Sequence, residues 1–98
     1  MKTKKKIQLV GKVTGLSHDE VVLKFKYAQT TLEAKGYEVV NPTAIIPETT
    51  EWKPAMRICI KSLLDVDGIA ILPDWNESRG SRLEYSIAYD LGLKIIHL

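Results

Sequence analysis

One stretch of the chain, Leu72-Pro-Asp-Trp-Asn-Glu-Ser-Arg-Gly-Ser-Arg-Leu-Glu84, gathers carboxylates, serines, arginines and a glycine directly behind an apolar run. A strand that enters a polar loop and then a helix brings backbone N–H groups to one point, and such a helix start attracts anions. Ser78, Gly80 and Ser81 have the residue types of that turn, and Arg57 falls where a second helix start brings a cation to the same edge. A carboxylate beside a bound anion can attack or activate an electrophilic centre, which makes Glu84 the candidate nucleophile. A purely local reading competes with it: Ser81-Arg-Leu-Glu84 is also an S-x-x-E capping box, and Ser78 is also a common turn or cap residue. The two readings differ in direction, because a capping glutamate turns back to its own backbone.

The elements that must position these residues follow from periodicity. Lys6 to Val10 is β-prone and ends at Gly11, predicting the first strand. Ser17-His-Asp-Glu20 is another capping box, and Val21, Val22, Phe25, Ala28, Gln29 and Leu32 then recur at helical spacing up to Gly36. Tyr37 to Val40 predicts a short second strand that stops at Asn41-Pro42. Thr43 to Glu51 has no clear period and contains Pro47, which reads as a loop. A helix is predicted from near Trp52 to Pro54, with Met56, Ile60, Leu63 and Leu64 as its buried stripe. Ile69 to Leu72 is a continuous apolar run, as in a parallel strand covered on both faces. A helix from about Ser81 to Leu91, stopped by Gly92, and a strand from Lys94 to Leu98 complete the chain.

Strands that alternate with helices predict an α/β fold, a three-layer flavodoxin-like or Rossmann-like parallel sheet of about four strands in the order 2-1-3-4. In that order the connections leaving strands one and three depart to opposite faces, and a crevice opens between their carboxyl ends. The Gly11 to Gly15 loop and the Pro73 to Ser81 loop should line it. Trp75 and Asp74 then become candidate contacts for a ligand ring, and Trp52 lies near the same edge. Asp67 precedes its strand and belongs to the opposite edge, where its role is structural. His18 reads as an exposed helix-start residue and His97 as a packing or dimer contact.

Composition sets the outer bounds. With 98 residues, 45% of them hydrophobic and 27% charged, the chain suits one folded domain. The net charge of +2 comes from a basic lead-in, Lys2, Lys4, Lys5 and Lys6, so a nucleic-acid footprint across a folded face is not indicated. The lone Cys59 excludes an internal disulfide and any multi-cysteine metal site, and neither histidine has the partners of a metal centre. No apolar run approaches a membrane span, and the expectation is a cytoplasmic protein without cofactor or metal.

The same residues also carry a resemblance. A strand ending in G-x-x-x-G, then G-Y-x-V-x-N-P, W-x-x-x-M-R, D-G-I-x-x-L-P-x-W-x-x-S-x-G-x-x-x-E and an LGL-type ending resembles a group of small uncharacterised (DUF4406-type) domains. That group resembles in turn the nucleoside 2-deoxyribosyltransferase and deoxynucleoside 5'-monophosphate N-glycosidase superfamily. The resemblance spans nearly the whole chain. It implies Glu84 as the nucleophile at the anomeric carbon of a deoxynucleoside, with Ser78, Gly80, Gly11 and Gly15 on the phosphate side. It implies a homo-oligomer that completes its site from a neighbouring subunit. One position departs from the pattern, since Cys59 stands where both active branches tend to carry an aspartate that handles the base. A non-catalytic nucleotide-binding module and a partner-binding domain are the alternatives.

Overall fold

The computed structural model describes residues 4–98; Lys2 of the basic lead-in lies outside them. Four parallel strands form one sheet: β1 (Lys6–Val10), β2 (Glu38–Val40), β3 (Gly68–Ile71) and β4 (Lys94–His97), in the order β2-β1-β3-β4. The helices are α1 (His18–Ala34), α2 (Pro42–Ile45), α3 (Trp52–Leu63) and α4 (Arg79–Asp90), with a single 3-10 turn at Trp75–Glu77. The α/β class and the strand order match the expectation from sequence.

Alternation along the strands sorts the core into two halves. Ile7, Leu9, Ala70 and Leu72 point to one face and pack with Val21, Phe25, Ala28 and Leu32 of α1. Val10, Ile69 and Ile71 point to the other, where Leu63, Val66 and Ala88 cover them from the α3 and α4 side. The sheet is therefore sandwiched, which is why β3 is buried at every position. Right-handed crossovers require this arrangement. Moving from β1 out to β2 and then back past β1 to β3 places the two connecting helices on opposite faces.

At the amino edge, Lys6 N donates to Asp67 Oδ2 at 2.7 Å and Asp67 N to Lys6 O at 2.8 Å, so Asp67 clamps the two central strands where they begin. Beside it Gly68 meets β4 closely. A Cβ added there would sit 2.5 Å from the Lys94 carbonyl oxygen.

Three local expectations are corrected. The Thr43 to Glu51 loop begins with a short helix, because Asn41 Oδ1 accepts from Thr43 N at 3.0 Å and Pro42 supplies a preset first turn. Leu64 is 68% exposed, since α3 ends at Leu63 and Leu64 is its C-cap. α4 begins at Arg79, earlier than the predicted Ser81. No helix among the described residues is long and apolar enough to cross a membrane.

Gly68→Ala is expected to lower stability by about 1–3 kcal/mol through overpacking against β4. Urea denaturation of the two proteins checks this, and an unchanged midpoint would contradict the close approach.

Candidate functional site

The start of α4 fixes the site. Ser78 Oγ accepts from Ser81 N at 3.2 Å and is the N-cap, which makes Ser81 the third helical residue and puts Glu84 in the second turn. The Ser81-to-Glu84 capping box therefore does not form. Glu84 is only 5% exposed and its carboxylate borders a cavity instead of the helix's own amides. Gly80 is what lets α4 come so near α3: a Cβ there would lie 2.7 Å from Met56 Sδ.

The cavity holds about 530 Å3 and opens at the carboxyl ends of β1 and β3, where the crevice was expected. One wall is the Gly11 to Leu16 loop, whose Gly15 has a φ of +89° that a side chain would strain. Opposite it stand Ser78, Gly80, Ser81 and Glu84 of α4, and Trp52, Met56 and Cys59 of α3 complete the enclosure. Pro42, Ile46 and Glu48 contribute from the segment between β2 and α3.

Of the residues singled out by sequence, Gly11, Gly15, Ser78, Gly80, Ser81 and Glu84 are brought together here. Asp74, Trp75 and Arg57 do not line the cavity. Asp74 Oδ2 is 2.6 Å from Lys24 Nζ and its Oδ1 accepts from Lys12 N at 3.1 Å, while Lys24 Nζ also donates to Lys12 O at 2.6 Å. These bonds fasten the Gly11 loop to the loop after β3. Burial pushes the Asp74 carboxyl up, but the bonds from Lys24 and Lys12 outweigh it and hold the group below its usual range. Trp75 stacks on Tyr85 with ring centroids 4.5 Å apart, and Arg57 is exposed on α3. Arg79 lies over the Trp52 ring at 4.2 Å from its centroid.

Sequence reasoning did not place His18 and Glu48 in the site. Both line the cavity, with His18 Nδ1 3.5 Å from Glu48 Oε2. The position of His18 directly after the Gly11 to Gly15 loop was the available signal; for Glu48, thirty residues away in an aperiodic loop, there was none. Among the described residues, no lysine or arginine lines the cavity. No cluster of three histidine, cysteine, aspartate or glutamate side chains is arranged to hold a metal ion among them either.

Residues 5–97 match the family described as Domain of unknown function (DUF4406). The chain belongs to that family. No curated protein matches it.

The protonation of Glu84 is the site's main electrostatic feature in this DUF4406 domain. Burial pushes its carboxyl up to about 7, against smaller opposing contributions from the Cys59 thiol and the Gln8 side chain. A helix start favours an ionised carboxylate, but desolvation outweighs that because the group sits a turn further in. Glu84 Oε1 and Gln8 Oε1 are both buried without a hydrogen-bond partner. Gln8 itself is anchored by donating from Nε2 to Cys59 O at 3.1 Å. Burial also pushes the Cys59 thiol up, with the neighbouring Glu84 charge adding to it.

This shift has a definite sign for stability. A free glutamate releases its proton near 4.5, whereas folded Glu84 holds it until about 7, so the folded state binds more protons in between. Stability should be greatest below the lower value and fall by about 3 kcal/mol as pH rises through that window. Glu84→Gln is expected to remove this slope and to be more stable than the native protein at pH 8. Urea denaturation of both proteins from pH 4 to 8 checks it, and parallel profiles would contradict the buried carboxyl.

Proposed function

We propose that this domain binds a nucleoside or nucleotide in the cavity and acts at its N-glycosidic bond, with Glu84 as nucleophile. The observation that carries the reading is a buried glutamate with an unpartnered carboxyl oxygen among the residues that line a cavity of about 530 Å3. Leaving such a group unsatisfied costs folding free energy, as expected of a residue kept for chemistry. The volume suits a small ligand of this kind. The likeness of the motifs to the deoxyribosyltransferase and N-glycosidase superfamily, with Glu84 at the nucleophile's position, supports the same assignment.

In the proposed reaction the ionised Glu84 carboxylate forms a bond to the anomeric carbon as the bond from that carbon to the base nitrogen breaks. The electron pair leaves with the base, and charge on the sugar ring passes through an oxocarbenium-like state. Water, or an acceptor base in a transferase, then attacks the same carbon and releases Glu84. The Gly11 to Gly15 loop and the Ser78 to Ser81 turn would hold the sugar's 5' end through hydroxyls and backbone amides. Binding without bond cleavage is the second reading, favoured by the thiol of Cys59 beside Glu84 and by a carboxyl that is half protonated near neutrality. Assembly into a homo-oligomer belongs to the first reading and is checked by light scattering.

Incubation with deoxynucleosides and their 5'-monophosphates, following free base by chromatography and binding by thermal shift, separates the readings. Base release is expected to rise with pH through about 7 as Glu84 ionises, and to fall about 10^3-fold or more in Glu84→Ala. Release that survives this substitution would refute the assigned nucleophile. Binding alone would support the second reading, and neither would point to a partner-binding domain.

A further inference from the structure

We propose that His18, held by Glu48, is the group that protonates the departing base; this rests on the glycosidic reading above. Breaking the bond leaves an electron pair on a ring nitrogen, and a nucleobase anion departs slowly unless a donor stands on its side. The attacking carboxylate and the departing base lie on opposite sides of the anomeric carbon. The donor must therefore lie towards the end of the cavity away from Glu84.

Four titratable side chains line the cavity among the described residues: His18, Glu48, Cys59 and Glu84. Glu84 is committed to the sugar. Cys59 is a poor donor, because it sits beside Glu84 on the attacking side and burial makes its thiol hold the proton tightly. His18 and Glu48 remain, and unlike the buried Glu84 both reach solvent, with side chains 47% and 62% exposed. His18 is the first residue of α1, and the Ser17 cap, whose Oγ accepts from Glu20 N at 3.2 Å, fixes that turn. Glu48 reaches it from the segment before α3, 3.5 Å from Nδ1. A carboxylate beside Nδ1 orients the ring and leaves Nε2 as the nitrogen that gives a proton away, the division of labour in which one residue reacts and another orients it. Glu48 is thus a positioning residue.

The step balances. As the Glu84 oxygen bonds to the anomeric carbon, the carbon–nitrogen bond breaks and its electron pair takes the proton from His18 Nε2, releasing neutral base. His18, now neutral, accepts a proton from the incoming water whose oxygen displaces Glu84. Both groups return to their starting states.

The test compares leaving groups that need a proton with one that does not. Single-turnover release is measured for natural deoxynucleosides and for p-nitrophenyl 2-deoxyriboside, with the native protein, His18→Asn and Glu48→Gln, folding being verified by circular dichroism. His18→Asn is expected to slow nucleobase release by about 10^2-fold or more and to leave nitrophenolate release unchanged. Glu48→Gln should show the same selectivity to a smaller degree, and Glu48→Asp should restore part of it. Equal slowing of both leaving groups, or of neither, overturns the donor assignment while the glycosidic reading stands. A native protein that cleaves none of these substrates overturns both. Should His18→Asn not fold, selectivity or its absence in Glu48→Gln decides the matter by the same criterion.

Discussion

The central constraint is the handedness of the connections that run out from β1 to β2 and back past β1 to β3. Because parallel strands are joined by right-handed connections, α1 must cover one face of the sheet and α3 and α4 the other. The loops leaving β1 and β3 consequently part at the carboxyl edge, and no side chain of the sheet itself fills the gap. The core is packed on both faces while a cavity persists at this one edge, bordered by the starts of all four helices. The chain spends its glycines where that geometry demands backbone proximity: Gly80 brings α4 against α3, and Gly68 brings β3 against β4.

Into this edge the chain places a glutamate that a stability-minded sequence would avoid. Glu84 is more buried than most carboxylates tolerate, and its neighbours only partly offset the loss of water. Gln8 and Cys59 are polar enough to coexist with it and too weakly polar to neutralise it. The result is a carboxyl that exchanges its proton near neutrality, which neither the helix start nor an ordinary surface pair would produce.

Much of this arrangement was legible from residue order. Continuous apolar character in Ile69 to Leu72, alternation in Lys6 to Val10 and the glycine stops after α1 and α4 are local signals for elements, and the crossover rule converts them to a topology. Glu84 was singled out by its place in the helix after β3, but its burial and raised carboxyl were not foreseen, because they come from packing against α3, distant in sequence. The S-x-x-E pattern competed at α4 with Ser78, three residues earlier, and Ser78 is the cap that forms. At α1 the same pattern had no such competitor, and Ser17 does cap Glu20 N. Trp75 was read as a ligand contact from its loop position; Tyr85, on the following helix, gives it a stacking partner that no short-range pattern reveals.

Lys24 has a wider consequence. It rises from the second turn of α1 and grips both the Lys12 carbonyl and the Asp74 carboxylate, so one buried-stemmed cation spans the two loops that diverge from the sheet. The cavity's facing walls are thereby joined through a helix that is itself locked to the core by Val21, Phe25 and Ala28. A ligand arriving there meets walls already ordered, and little of its contact energy is spent on freezing loops. Association should then resemble a key meeting a cut lock, with its heat and selectivity set by the few polar groups that line the walls.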